Sequence, residues 1–158
     1  MEKISNSSKI GWTAVLIVSL ASFIISLDNT FMNVAISNLL VDLNTTVPVL
    51  QIVITIYALT MASLILLGSK MQDVVGRKNT FIYGAIIFGI GTLIATFSVN
   101  AVMLLVGWSI FEGVGAALMT PAAASIIIGT YSGDRSTFAL GIRTSFASAG
   151  AGFGPFIG

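Results

Sequence analysis

Five apolar stretches, each long enough to cross a lipid bilayer, dominate this sequence. Short polar segments separate them, and they cover roughly residues 11–38, 50–70, 79–98, 101–127 and 136–158. A helix needs about 20 residues to cross the hydrocarbon core, and lipid admits only backbone that satisfies its own hydrogen bonds. The pattern therefore predicts an all-α membrane protein with five transmembrane helices.

The composition agrees with a membrane environment and excludes several classes of function. Hydrophobic residues make up 56% of the chain and charged residues 8%, whereas a soluble domain carries about 25% charged residues. The net charge of +1 argues against a nucleic-acid partner. The absence of cysteine and histidine removes thiol catalysis, histidine bases and most metal ligation. We therefore expect no enzyme activity, no metal and no cofactor.

The basic residues predict the orientation of the chain. The segments around 42–48 and 98–100 contain no lysine or arginine. The basic residues all lie in the three other polar patches: Lys3, Lys9, Lys70, Arg77, Lys78, Arg135 and Arg143. Cytoplasmic loops carry the excess of lysine and arginine in membrane proteins. The distribution predicts a cytoplasmic N-terminus.

The first apolar stretch carries a polar stripe. On a helical wheel its members fall within about 100° of each other: Ser19, Ser22, Ser26, Asn29, Thr30, Asn33 and Ser37. Interhelical hydrogen bonding is one explanation, since small polar residues hold membrane helices together. The number of polar residues favours the other, a cavity wall, for which Ser22, Ser26, Asn29 and Asn33 are the candidate lining residues.

The polar segment after the second stretch has a specific motif. The sequence Ser69-Lys-Met-Gln-Asp73-Val-Val-Gly76-Arg77-Lys78 resembles the signature loop between the second and third helices of the major facilitator superfamily. Asp73, Gly76, Arg77 and Lys78 match that loop, and Ser69 replaces its leading glycine. The resemblance implies that these four residues form a gating loop, which latches the two halves of a transporter when the outside is open.

Two further motifs are similar to those of the drug–proton antiporter branch, particularly its members with fourteen helices. The first, residues 27–35, includes Asp28, Asn29 and Asn33. The second resembles the antiporter motif of the fifth helix and ends at the last residue; its matching positions are Gly150, Gly154, Pro155 and Gly158. A glycine at every fourth position also lets two helices approach closely, and Pro155 should loosen its helix.

The fourth stretch departs from the family pattern. Ser109 stands where the family has an arginine linked to proton coupling, and Glu112 replaces a glutamine. Three charged residues inside the apolar stretches are proton-coupling candidates: Asp28, Glu112 and Arg143. We predict that Arg143 pairs with Glu112 and supplies the missing positive charge. The alternative is that Arg143 extends to the cytoplasmic surface, which leaves Glu112 to titrate or to bind a cation.

Together the resemblance and the residues predict five transmembrane helices of a major facilitator N-terminal half. The expected protein is a proton-coupled multidrug efflux antiporter of the plasma membrane that works by alternating access. Its expected partners are membrane lipid, protons and an amphipathic or cationic small molecule. Because the last stretch has no polar flank, we expect a fragment that needs a C-terminal half to transport. The alternatives are a non-transporting remnant or helix-packing partner, and a carrier of another small metabolite.

Overall fold

The computed structural model describes residues 2–157, with the side chains of residues 11–156. This part of the chain is helical almost throughout. Its elements in order are α1 (Glu2–Val34), α2 (Ile36–Asp42), α3 (Val47–Val75), α4 (Arg77–Thr96), α5 (Ala101–Leu104), a π-helical segment (Leu105–Glu112), α6 (Gly113–Thr130) and α7 (Asp134–Ile157).

Among the described residues, four helical stretches are long and apolar enough to cross a membrane. They are Gly11–Val34, Val47–Val75, Arg77–Thr96 and Ala101–Thr130. The 24-residue helix α7 occupies the stretch of the fifth predicted span but is not one of the four. Its hydropathy is lower because it contains Arg143 and many serine, threonine and glycine residues. The fold is thus all-helical with four candidate membrane helices.

The first predicted helix, 11–38, is wrong at its C-terminal end. The helix α1 stops at Val34, and Ala35 separates it from α2. The amides of Asn38 and Leu39 both donate to the carbonyl of Ala35, at 3.1 and 2.9 Å, and these bonds start the new turn. Neither glycine nor proline marks this position in the sequence, so the break had no local signal.

The chain forms two compact units, which are described separately. The first contains α1, α7 and the part of α6 from Ala123 onward. In this unit α1 and α7 lie side by side. Trp12 packs 6.2 Å from Phe138, and further along both helices Phe23 packs 6.3 Å from Phe153, measured between ring centroids. Because both contacts advance in the same chain direction, the two helices run parallel.

The second unit, Ala35–Ala122, places the fourth membrane stretch against both α3 and α4. On the α3 side, the rings of Tyr57 and Trp108 stack with centroids 4.3 Å apart, and Ser109 donates to the carbonyl oxygen of Val53 at 2.7 Å. A buried hydroxyl that bonds a neighbouring helix satisfies itself without water. These contacts fix the rotation of the π-helical segment against α3.

The turn before the fourth stretch is capped as its sequence suggests. Asn100 has an extended backbone and its Oδ1 accepts from the amide of Met103 at 2.8 Å. An asparagine in this position satisfies one of the amides that a helix start leaves open. The helix then widens into the π-helical segment Leu105–Glu112, which the sequence did not predict.

Candidate functional site

The polar stripe of α1 is buried towards the N-terminal end of the helix and exposed towards its C-terminal end. Ser19 and Ser22 are buried, Asn29 is half-buried and Asn33 is exposed. Asn29 and Asn33 each donate to the carbonyl four residues earlier, at 3.0 and 2.7 Å. Bonds of this kind satisfy a side-chain donor within its own helix. Ser26 is half-buried beside them.

Arg143 contacts the stripe at Ser22. Its Nε donates to Ser22 Oγ at 2.9 Å, and that hydroxyl donates in turn to the carbonyl of Val18 at 2.9 Å. A guanidinium is planar and rigid, so a bond from Nε holds the whole group in one orientation. The sequence did not predict this contact, because helical periodicity locates Arg143 on α7 but does not say which helix lies beside it.

The glycines of the antiporter motif lie at the contact between α7 and α1. A Cβ added to Gly150 would collide with the carbonyl oxygen of Phe23, and one added to Gly154 would lie 2.5 Å from Thr30 Cβ. The absence of side chains therefore permits the close approach. The helix α7 continues past Pro155, which is exposed. Gly158 lies outside the described residues.

Glu112 is the last residue of the π-helical segment and is 1% exposed. It lies against α4 at Gly91, where an added Cβ would be 2.7 Å from both Glu112 Cγ and the amide nitrogen of Glu112. The carbonyl oxygen of Gly107 would also lie 2.7 Å from that Cβ. The sequence did not predict this close packing of α4 around Glu112, although the glycines of α4 were a signal for it.

Asp28 and Arg143 belong to one compact unit and Glu112 to the other. Asp28 is half-buried on α1, six residues after Ser22. The predicted pair between Glu112 and Arg143 stays a prediction. Arg143 contacts Ser22 of α1 within its own unit.

The predicted gating loop is a single residue. Asp73 lies in the last turn of α3, Gly76 alone separates the helices, and Arg77 and Lys78 begin α4. Asp73 lies at the carboxyl end of α3, because no helix breaker precedes Gly76. Asp73, Arg77 and Lys78 are all exposed.

Gly76 has a backbone conformation that other residues avoid, with φ 93° and ψ 147°. Strain there costs a residue with a Cβ about 1–3 kcal/mol. We expect Gly76→Ala to lower the free energy of unfolding by about 2 kcal/mol, measured by denaturant titration of the purified protein in detergent. Gly133→Asn is the control, since φ of 59° at Gly133 is accessible to asparagine. Equal effects of the two changes would contradict this explanation.

Comparison with known proteins identifies the family. Residues 18–158 match the sequence profile of the Major Facilitator Superfamily. The chain belongs to this superfamily. The family prediction made from the loop and helix motifs is therefore confirmed, and the chain is a multi-pass protein of the plasma membrane.

Individual relatives in the superfamily are named for resistance and transport. The methylenomycin A resistance protein of Bacillus subtilis is 30% identical over 97% of this chain and 33% of its own length. The methyl viologen resistance protein SmvA of Salmonella typhimurium is 32% identical over 93% of this chain and 30% of its own length. The riboflavin transporter RibZ of Clostridioides difficile is 27% identical, over 93% and 32%. The chain spans about a third of the length of these relatives.

Proposed function

We propose that the chain forms the first helices of a proton-coupled exporter of small organic molecules, working by alternating access. Its cargo is an amphipathic or cationic compound, and its N-terminus lies in the cytoplasm. The chain supplies five membrane helices, α7 being the fifth. Since relatives are about three times as long, we propose that transport belongs to a longer protein that includes a C-terminal half.

The observation that carries this proposal is the contact of α7 with α1. At the glycines that match the antiporter motif, Gly150 and Gly154, α7 lies in close contact with the helix that bears the polar stripe. Arg143 reaches the same helix from α7. A small movement of α7 must therefore move polar groups of α1, and such packed helix pairs shift between discrete arrangements rather than deform continuously.

We assign the residue roles as follows. Asp28 and Glu112 take up and release protons, and Arg143 supplies the positive charge that responds to them. Ser22, Ser26, Asn29 and Asn33 line the cargo path. The junction at Asp73, Gly76, Arg77 and Lys78 latches the cytoplasmic side in the state that is open to the outside.

Transport in everted membrane vesicles tests the proposal. The vesicles contain the protein translated from its complete reading frame, and their lumen is acidified relative to the medium. Proton-coupled export predicts that the cation ethidium accumulates in the lumen and that a protonophore abolishes the accumulation. Vesicles with the 158-residue chain alone should accumulate none. Accumulation that ignores the protonophore would contradict proton coupling, and accumulation by the short chain would contradict the need for further helices.

Asp28 offers a direct test of proton uptake. Asp28→Asn keeps the size of the side chain but cannot ionise, so we expect at least a tenfold loss of pH-driven ethidium accumulation, about 1.4 kcal/mol in rate terms. The matched control is Asp42→Asn, because Asp42 is an exposed carboxylate at the end of α2. Accumulation at the normal rate in Asp28→Asn would remove Asp28 from the coupling mechanism.

A second candidate function is the transport of a metabolite. The similarity to the riboflavin transporter RibZ supports it. Uptake of radiolabelled riboflavin by intact cells separates the two. An importer raises the riboflavin inside the cells, whereas an exporter of drugs leaves it unchanged and lowers the ethidium content. A non-transporting remnant would change neither.

A further inference from the structure

We propose that the aromatic cluster of Trp12, Tyr131 and Phe138, together with a groove beside it on α7, is a loading site for amphipathic organic cations. The inference rests on the export function proposed above and assigns a binding surface to its cationic cargo. The aromatic rings hold the charged head of the cargo, and the groove holds its apolar chain. All of the residues involved belong to the first compact unit.

Three aromatic rings from α1, from the residue after α6 and from α7 contact each other. The ring centroid of Trp12 lies 5.8 Å from that of Tyr131 and 6.2 Å from that of Phe138. Tyr131 fits against α1 because Gly11 has no side chain, since an added Cβ would lie 2.6 Å from Tyr131 Oη. Trp12 is 42% exposed and Phe138 63% exposed. The cluster is therefore packed on one side and presents open ring surface on the other.

Open aromatic faces attract organic cations. The face of an aromatic ring is negative, and a cation within about 6 Å of the centroid is bound most strongly by tryptophan. Trp12 contacts both other rings, so a cation on its open face is also close to a second ring. Clusters of aromatic rings recognise quaternary ammonium groups in this way. The aromatic cluster therefore favours a cationic head over a neutral or an anionic one.

A groove of about 510 Å³ extends along α7 from the aromatic cluster. It is lined by Thr137, Phe138, Gly141, Ile142, Ser145 and Phe146. Phe138 belongs to both features, so they are continuous. From Phe138 to Phe146 the groove extends about 12 Å along the helix, and its volume lies in the usual range of small-molecule sites, about 300–1,000 Å³. Because Ser145 donates its hydroxyl to the carbonyl of Gly141 at 3.0 Å, this side chain does not need a polar ligand.

The charged residues around the groove favour a cation at the end next to the aromatic cluster. Asp134 is exposed, begins α7 and lies four residues before Phe138 on the same face of the helix. On a helical wheel Asp134 points about 30° from the centre of the groove, and Arg135, which is also exposed, about 70° from it. Arg143 points about 150° away and contacts α1. The charge best aligned with the groove is therefore negative.

The sequence around the cluster places it at the level of the membrane surface. Tyr131 immediately precedes the polar residues 132–134, and tryptophan and tyrosine favour the membrane–water interface. An amphipathic cation in a bilayer also keeps its head at this level and its chain in the hydrocarbon. In the orientation proposed above, the site faces the cytoplasmic leaflet, where an exporter meets such a cargo. Anchoring of helices is the other role of interfacial rings, and it needs no preference for a charged ligand.

Quenching of Trp12 fluorescence tests the site. The full chain is placed in nanodiscs of digalactosyl diacylglycerol, which has neither a surface charge to concentrate the cation nor a choline group to compete for the rings. The probe is 1-dodecylpyridinium, a cationic ring with an apolar chain, which quenches tryptophan on contact. Its uncharged counterpart of the same shape is 1-phenyldodecane. We expect saturable quenching by the cation and at least tenfold weaker binding of phenyldodecane, measured by competition.

The two tryptophans of the chain provide the first control. Trp108→Phe leaves Trp12 as the reporter and keeps a ring against Tyr57. Trp12→Phe leaves Trp108, which is 3% exposed and belongs to the other unit. Only the protein that retains Trp12 should show saturable quenching. Equal quenching of both proteins, or quenching in proportion to the probe dissolved in the lipid, would overturn the inference.

A pair of glycine variants tests the groove. Gly141→Leu should weaken dodecylpyridinium binding at least tenfold, because a Cβ at this position meets nothing within 4 Å and the leucine fills the groove without displacing α1. Gly152→Leu is the matched control, since it lies further along α7 and is equally open. It should leave binding unchanged. Full binding to the Gly141→Leu protein would show that the groove does not hold the chain of the cation.

The preference for charge is tested at the other end of the site. Asp134→Asn should weaken binding of the cation severalfold and leave phenyldodecane unaffected, whereas Arg135→Gln should strengthen binding of the cation. Asp42→Asn, at an exposed carboxylate of the other unit, is the control. Phe138→Leu keeps the site apolar but removes a ring, so it should weaken binding of the cation more than that of phenyldodecane. Equal losses for the two probes would refute recognition of the cationic head.

Failure of this inference is distinguishable from failure of the proposed function. Protonophore-sensitive ethidium accumulation by a protein without saturable Trp12 quenching refutes only the loading site. Saturable and charge-selective binding by a protein that accumulates no ethidium refutes only the transport proposal, and the binding site then remains.

Discussion

Replacement of Gly150 by alanine is expected to lower the free energy of unfolding by about 3 kcal/mol, the upper part of the usual range for overpacking. The added methyl group would collide with the carbonyl oxygen of Phe23. This oxygen belongs to the backbone of α1, so no side-chain rotation relieves the collision, and α1 and α7 must separate. Denaturant titration in detergent, followed by the fluorescence of Trp12 at this contact, measures the change.

Gly152 is the matched control for this prediction. It lies two residues further along α7, it is exposed, and a Cβ added there has nothing within 4 Å. Gly152→Ala should therefore change the free energy of unfolding by no more than about 0.5 kcal/mol. The double variant Gly150→Ala with Phe23→Ala should show no rescue, because the obstructing atom is not in the side chain. Rescue, or equal effects of the two glycine changes, would refute the close backbone approach.

Gly91→Ala is expected to have a comparably large effect in the other compact unit, again about 3 kcal/mol. A methyl group at Gly91 would lie 2.7 Å from the amide nitrogen of Glu112 and from the carbonyl oxygen of Gly107. Both are backbone atoms, so α4 and the π-helical segment must move apart. That movement would also uncover the buried carboxyl group of Glu112.

The control is Gly89→Ala, since Gly89 is exposed on α4 and an added Cβ meets nothing within 4 Å. We expect a change of at most about 0.5 kcal/mol. Adding Glu112→Ala to Gly91→Ala should not restore stability, because it removes Cγ but leaves the two backbone contacts. Full recovery in the double variant would mean that only the glutamate side chain obstructs the methyl group, and that the backbones are not in close contact.

The sequence predicted where the helices lie better than how they meet. Hydrocarbon thickness fixes the length of a membrane helix, so the apolar stretches located α3 and α4 closely. The contact between Arg143 and Ser22 was not foreseen. Residue spacing gives depth along a helix and direction around it, but the identity of the neighbouring helix depends on the packing of the whole unit.

Two local features were also beyond the sequence. The break at Ala35 contains no residue that interrupts helices, and the one glycine in Leu105–Glu112, Gly107, does not by itself predict widened turns. The π-helical segment is packed on two sides, because Trp108 stacks on α3 and Gly107 lies against α4. Glycine patterns were the exception, because a missing side chain marks close approach whichever helix is the neighbour.

The one-residue junction at Gly76 limits how α3 and α4 can move relative to each other. Consecutive Cα atoms are about 3.8 Å apart, so Val75 and Arg77 cannot separate by more than about 7 Å while α3 and α4 stay wound. Because only one residue connects the helices, a displacement of Asp73 at the end of α3 also displaces Lys78 at the start of α4. The two helices therefore move together. Any gate at this end works by tilting the helical hairpin as a whole rather than by rearranging a flexible loop.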